Sequence, residues 1–379
     1  MPEFRLPAVI HFGWGALEKL RTEAPQHGRR ALLVTGRSAM KRTGIADRVA
    51  SLLAAGDVDV IGFSDVESDP SSATIDRATD LAREERCDLV IGLGGGSPMD
   101  TARAVAGMVG LEGSVLDYVR GKAIDRPGLP LVNIATTSGT ASEITQVAVV
   151  LDEERHIKIG MRSPFWFARV AITDPELTLS MPPRVTAGTG LDALTHAAES
   201  YMSTGATPPA EALALHAVAL VGQHLRAAVA DGSNRAAREG MAMASMIAGM
   251  AFANTGLGLA HGIAHPVGAR YRVPHGECCG RLLPHVMRHN AAAVPERVAA
   301  IGQALTGRQV TDPEQAAAAV ESLLRDVGVS PGLADVGMPE SEIQDVAKDT
   351  MLVGAIRTNP RPVTVADALS VLEVAAKAR

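Results

Sequence analysis

The sequence predicts an α/β N-terminal half built on a doubly wound parallel sheet, residues 1–178, followed by an all-α helical half, residues 179–379. Three observations carry this. Short aliphatic runs alternate with stretches of helical periodicity as far as Pro175, the pattern of a sheet whose crossovers are helices. Beyond that proline almost every stretch has apolar residues at helical spacing. A chain of 379 residues is also longer than one ordinary domain.

ALLVTG (31–36) is a buried-strand run closed by Gly36, and residues 43–55 carry helical periodicity. VDVIGF (58–63) is a second strand, 71–86 a helix, and CDLVIGLGGG (87–96) a third strand running into glycines. Pro98 fits the first turn of the next helix, which continues through ARAVAGMV, with Asp100 as an N-terminal helix charge. LVNIATT (131–137) and RVAITD (169–174) are further strands, and AVVLD (147–151) with HIKIG (156–160) a hairpin. The helical half includes AEALALHAVALVGQHLRAAVA, AAREGMAMASMIAGMAFA, PEQAAAAVESLLRDVG and VADALSVLEVAAKA. Gly188 and Gly190 are the expected bend between the halves.

Composition narrows the function classes. A net charge of −6 argues against a nucleic-acid partner, which needs a concentrated basic face. No apolar run reaches about 18 uncharged residues, so no membrane span is expected. The start lacks a basic segment followed by an apolar core, and Cys87, Cys278 and Cys279 are odd in number with two adjacent. Both features disfavour a secreted, disulfide-linked protein and lead to a cytoplasmic expectation.

Two turns are candidates for nucleotide binding. Gly92-Leu93-Gly94-Gly95-Gly96-Ser97 leaves a strand and enters a helix, where glycines admit close backbone approach and the helix start offers unpaired N–H groups to a phosphate. Ser97 stands where a dinucleotide fingerprint has its last glycine, and no Gly-Lys-Ser/Thr follows, so this is not an ATP-type loop. Thr136-Thr137-Ser138-Gly139-Thr140 follows another strand, at the sheet edge where such folds bind ligands.

Asp192 and His196 lie four apart in GLDALTHAAESY, on one face of a helix. His261 and His265 share the same spacing in LAHGIAHPVGA, and His275 follows the turn-prone Val273-Pro274. One carboxylate with three imidazoles suits a borderline divalent metal such as Fe²⁺, Zn²⁺ or Mn²⁺. In isolation, Asp192 with His196 also reads as a helical ion pair, and spacing alone does not say whether His265 belongs to the metal shell.

Together these segments, with DPELTLSMPP, PHGECCGRLLPHVM and TNPRP, resemble the iron-dependent (group III) alcohol dehydrogenase family over essentially the whole chain. The resemblance implies an N-terminal dinucleotide domain and a helical domain, with metal and nicotinamide meeting in the cleft. It places the metal ligands on Asp192, His196, His261 and His275, with Fe²⁺ as the expected ion, and a cleft histidine acting as proton relay on His265. It places the pyrophosphate turn on Gly95, Gly96 and Ser97, a second cofactor turn on Thr136, Thr137 and Thr140, and a ribose-side lysine on Lys158. Gly36, Ser38 and Asp69 complete the expected cofactor set. It also implies a homodimer or larger homo-oligomer.

Many family members carry Asp after the first strand, where this chain has Gly36. A carboxylate there would repel a 2′-phosphate, by roughly 4 kcal/mol for unit charges about 4 Å apart at an effective dielectric of 20. Gly36 removes that repulsion, and Arg37, Ser38, Lys41 and Arg42 offer donors nearby, so NADP(H) is expected over NAD(H); the basic residues also read as a solvated face. The expected reaction is reversible hydride transfer between a small aldehyde and its primary alcohol. Arg270, Arg272 and Arg281 either select an anionic aldehyde or pair with Glu277 and other protein groups. Phe165, Trp166 and Phe167 either wall the cleft or pack; His285 and His289 read as helix-surface or packing residues, and Cys278 and Cys279 as small buried residues. The rival functions are a dehydroquinate-synthase-like lyase, a glycerol-1-phosphate-dehydrogenase-like enzyme, and a non-catalytic metal or nucleotide binder.

Overall fold

The computed structural model describes residues 3–154 and 157–378; His156, the first residue of the expected second hairpin strand, lies outside them. The described chain divides into two compact units. One comprises Leu6–Thr137 and Ala141–Ser180; the other comprises Met181–Arg379 with Ser138–Thr140 and a segment ending at Arg5.

The α/β unit carries β1 (Val9–Phe12), β2 (Arg30–Gly36), β3 (Asp59–Val66), β4 (Leu89–Gly94), β5 (Leu131–Ala135), β6 (Val147–Asp152), β7 (Ile157–Arg162) and β8 (Val170–Thr173). Its helices are α1 (Leu20–Glu23), α2 (Ala39–Arg42), α3 (Ile45–Ala54), α4 (Ser72–Glu84), α5 (Gly96–Met108) and α6 (Val115–Val119). Six strands pair in the order β1-β8-β5-β4-β2-β3, every pair parallel. β6 and β7 form a separate antiparallel hairpin.

Successive strand side chains point to opposite faces. Leu32 and Val34 pack with Ile75 and Ala78 of α4 and with Ala102 and Val105 of α5. Ala31 and Leu33 pack with Leu20 of α1 and with Val49 and Leu53 of α3. Both faces are therefore covered, which is why the strands read as continuous apolar runs. β1 escaped the sequence reading because it is a four-residue edge strand with no fully buried position.

Asp100 departs from its expected role. It is a buried anchor, 2.9 Å from the fully buried Arg103, and it accepts hydrogen bonds from the Ser142 hydroxyl and the Val149 N–H. Trp166 is buried beside Gly107, where a Cβ would fall 2.3 Å from the indole Nε1, so it packs against α5.

The helical unit holds α7 (Pro183–Met202), α8 (Pro208–Ala230), α9 (Arg235–Thr255), α10 (Leu259–Tyr271), α11 (His275–Asn290), α12 (Pro295–Thr306), α13 (Pro313–Asp326), α14 (Ile343–Thr350) and α15 (Val365–Ala375). α8 is long and apolar enough to suit a membrane span by composition alone. Its buried residues Ala210, Ala214, Ala217, Val218, Val221 and Leu225 form the one-sided stripe of a helix packed on others, here α7, α9 and α12.

Gly188 and Gly190 are not a bend. Both lie inside α7, and a Cβ on Gly190 would come 2.2 Å from Leu225 Cδ1, so glycine serves close helix packing there. α11 uses the same device, since a Cβ on Gly276 would meet the Gly188 carbonyl oxygen at 2.3 Å. That close approach brings the start of α11 against the α7 turn that carries Asp192.

Candidate metal centre and cofactor turns

Asp192 lies in the middle of α7, His261 in the first turn of α10, and His275 at the first position of α11. Arg272, in the left-handed region at φ 54°, closes α10, and Pro274 precedes α11, which sets His275 at a helix start. The Asp192 carboxylate is the hub. Its Oδ1 lies 3.9 Å from His196 Nε2, 3.8 Å from His261 Nε2 and 3.8 Å from His275 Nε2. These gaps are too long for hydrogen bonds. They suit donors arranged around one ion with bonds of about 2.1 Å each.

Two of the rings are held from behind. The His196 Nδ1–H donates to the Gly139 carbonyl at 3.3 Å, which leaves Nε2 to face Asp192. Gly139 is required at that approach, because a Cβ there would sit 2.6 Å from the Thr189 carbonyl oxygen. The His261 Nδ1–H donates to Glu199 at 2.6 Å, and Glu199 also accepts the N–H groups of Gly258 and Ala260 at the start of α10. One buried carboxylate thus caps a helix and fixes the tautomer of a ring, the usual arrangement behind a metal-bound imidazole.

The electrostatics favour a cation. Burial alone would raise Asp192, but His196, His261 and His275 around it overcome burial and hold its carboxyl below the ordinary range. Burial pushes His196 down to about 3 despite the same carboxylate, so that ring is neutral. Burial opposes charge on His261 as well, yet Cys279, Glu199 and Asp192 raise it well above its ordinary value. The site attracts positive charge, whether a proton or a metal ion. Asp192 Oδ1 and His261 Nε2 are buried without a hydrogen-bond partner among the described residues, and orphaned groups of this kind cost about 1–3 kcal/mol each. A divalent ion satisfies both.

His265 lies one turn beyond His261, its ring edge-on to His275 at 5.4 Å between centroids. The four donor atoms that lie mutually within 4.8 Å belong to Asp192, His261, His275 and Cys279; His196 stands beside them, its ring stacked on His261.

Of the expected cofactor residues, Gly36, Gly95, Gly96, Ser97, Thr136 and Thr137 lie at the carboxyl ends of β2, β4 and β5. Gly95 and Gly96 open α5 with Ser97 in its first turn, after Gly94 at φ 147°. Gly95 packs against Thr137, which leaves the β5 strand with Thr136, whose N–H donates to the Gly94 carbonyl. Thr137 Oγ1 and Ser138 Oγ are buried without a hydrogen-bond partner among the described residues. The Thr137 hydroxyl, beside a helix start rich in N–H groups, fits a bound phosphate or ribose. The Asp69 N–H donates to Ser97 Oγ, and the Lys158 ammonium is 2.7 Å from the Asp69 carboxylate, tying those two residues to the same turn. Gly36 ends β2 and Ser38 stands immediately before α2, while Thr140 belongs to the 138–140 segment of the helical unit.

Comparison with known proteins decides the family. The family described as iron-containing alcohol dehydrogenase matches residues 7–175, and its C-terminal counterpart, the Fe-containing alcohol dehydrogenase family, matches residues 186–376. The chain belongs to the iron-containing alcohol dehydrogenase family. It is 39% identical to long-chain-alcohol dehydrogenase 1 of Geobacillus thermodenitrificans, covering 97% of this chain and 95% of that one. It is 36% identical to the NAD-dependent methanol dehydrogenase of Bacillus methanolicus, over 98% and 99% of the two chains. A crystal structure of 1,3-propanediol oxidoreductase superposes with a TM-score of 0.94 at 35% identity, over 99% and 100% of the chains.

In this iron-containing alcohol dehydrogenase two of the three arginines near His275, Arg270 and Arg281, are paired with protein carboxylates. Arg281 bonds Glu277, Asp335 and the Gly332 carbonyl, and Arg270 bonds Asp349. The His285 Nε2–H donates to the Pro331 carbonyl oxygen at 3.0 Å, and the ring is a buried packing residue. Sequence reasoning missed Glu199, although it stands in the quoted GLDALTHAAESY, seven residues after Asp192 and hence on the same helix face. It also set Cys279 aside as a small buried residue, whereas the side chain reaches the donor cluster.

Proposed function

We propose that this alcohol dehydrogenase is a metal-dependent aldehyde reductase that transfers hydride reversibly between NADP(H), in preference to NAD(H), and a small neutral aldehyde or its primary alcohol. The observation that carries the reading is the Asp192 carboxylate ringed by the Nε2 atoms of His196, His261 and His275. Those four residues would hold the ion, Fe²⁺ in keeping with the family. A divalent ion so held supplies Lewis acidity to the substrate oxygen, and the nicotinamide supplies or accepts the hydride.

The remaining work falls to side chains. Glu199 and the Gly139 carbonyl orient two of the rings. His265, next to His275 and outside the tight donor group, moves the proton that the alcohol gains or loses. Gly95, Gly96 and Ser97 bind the pyrophosphate at the start of α5, with Thr136, Thr137, Thr140, Lys158 and Asp69 completing the cofactor contacts along with Gly36 and Ser38.

The NADP(H) preference rests on Gly36. A Cβ there meets nothing nearer than 3.7 Å, so the position would accept an acidic side chain and lacks one. A neutral substrate is favoured because Arg270 and Arg281 already pair with carboxylates. We place the protein in the cytoplasm as a homodimer or larger homo-oligomer, which sedimentation of the purified chain measures.

The test is the loss of reduced-nicotinamide absorbance in anaerobic, metal-loaded protein, with NADPH and NADH each run against neutral and anionic aldehydes. Metal-dependent oxidation of NADPH with neutral aldehydes is the expected result. No turnover in protein shown to hold metal and cofactor would overturn the reading.

A further inference from the structure

We propose that Cys279 is an additional donor to the ion at the Asp192 centre, giving this chain a thiolate beside its carboxylate and imidazoles and a higher Zn²⁺-over-Mn²⁺ selectivity than carboxylate and imidazoles alone would give. The inference rests on the metal centre of the proposed function. Cys279 follows His275 by one turn of α11, so the two side chains share a helix face. Its Sγ is 3.7 Å from His275 Nε2 and lies in the group whose donor atoms are all within 4.8 Å of one another.

Two independent features point at the same spot. Asp192 Oδ1 and His261 Nε2 are buried there without hydrogen-bond partners among the described residues, and Asp192 itself is 2% exposed. Cys279 is fully buried, so its sulfur has no solvent to face. The rest of its surroundings are apolar, among them Leu259, Ile263 and Leu282. A thiol that only filled space would be satisfied by those neighbours; this one also borders a carboxylate and imidazoles.

Binding through sulfur replaces the S–H bond with a metal–sulfur bond and releases the proton to solvent, with no change of oxidation state. Soft thiolate donors shift a site from hard oxygen-preferring ions toward Zn²⁺ and its analogues. At an all-nitrogen-and-oxygen centre that shift is absent.

The probe is Co²⁺, bound to the full-length protein and read by its absorption spectrum. A sulfur-to-cobalt charge-transfer band in the near ultraviolet, beside the visible ligand-field bands, is expected for the unaltered chain. Cys279→Ser should lose the charge-transfer band and keep the ligand-field bands, while Cys278→Ser should keep both. In competition titrations Cys279→Ser should lower the Zn²⁺-over-Mn²⁺ selectivity at least about tenfold, equivalent to about 1.4 kcal/mol. Cys279→Ala serves as the second variant if serine impairs folding.

Ligand-field bands without a charge-transfer band in the unaltered chain would overturn the sulfur ligand and leave the metal centre standing. No cobalt bands in any variant would overturn both. Unchanged selectivity in Cys279→Ser and Cys279→Ala would also refute the inference.

Discussion

Replacing Glu199 by glutamine tests whether the metal centre depends on the carboxylate behind His261. Glu199 is buried and accepts three hydrogen bonds, from His261 Nδ1 and Ala260 N at 2.6 Å each and from Gly258 N at 2.9 Å. Glutamine has nearly the same shape but no charge, and its NH₂ must face at least one of those donors. Hydrogen bonds to charged groups contribute roughly 1.5–3 kcal/mol, and a carboxylate at a helix start adds roughly 0.3–2 kcal/mol. Losing one bond and the charge should therefore destabilise the metal-free protein by about 2–5 kcal/mol. Because the ring loses its orienting partner, metal affinity should fall about 10–100-fold. The assays are urea unfolding of metal-free protein and competition for Zn²⁺ against a chromophoric chelator. If Glu199→Gln bound Zn²⁺ as tightly as the parent, the carboxylate would not be positioning His261 and the argument would fail.

Other perturbations address the remaining parts. His261→Ala should bring bound metal close to zero in elemental analysis while NADPH binding, followed by cofactor fluorescence, stays largely intact; metal retained at parental stoichiometry would remove His261 from the centre. Gly36→Asp should move the kcat/KM ratio toward NAD(H) by several-fold to about tenfold, from the repulsion of a 2′-phosphate by a new carboxylate; an unchanged ratio would remove the basis for the NADP(H) preference. Glu143 is fully buried and burial raises its carboxyl from 4.5 to about 7, against the Thr173 hydroxyl and the Arg103 charge. Its folded-state value is raised, so its contribution is fully present below about pH 4.5 and is lost as pH climbs through about 7, on the order of 3 kcal/mol in all. Glu143→Gln should flatten that part of the stability-versus-pH curve in denaturant titrations, and an unaltered slope would refute the assignment.

Much of this protein was legible before any fold was seen. The sheet strands β2, β4 and β5 are buried on both faces, so burial wrote continuous apolar runs into the sequence. The helices of the second unit each bury one stripe or more, so period marked them. Asp192 and His196 stand one turn apart on a single helix, and that local geometry needs no tertiary knowledge. β1 was not legible, since a four-residue half-exposed edge leaves no pattern. Gly188 and Gly190 were misleading because a glycine that admits a neighbouring helix is written with the same letter as one that bends the chain.

By itself, then, the sequence determined the order of the central strands β2, β3, β4, β5 and β8, the change from alternating to helical architecture, the family, and the chemical types of the donors. Those are properties of local spacing and composition. Only the tertiary structure decided that the Gly139 carbonyl supports His196 and that Glu199 supports His261. It also decided that Arg281 is held by Glu277 and Asp335 instead of standing ready for an anionic substrate. Each of these depends on which helix faces meet, and the close approach of α7 to α11 at Gly188 and Gly276 is set by the packing of the whole helical unit. Residues dozens of positions apart become neighbours only through that packing, and no spacing within one segment records it.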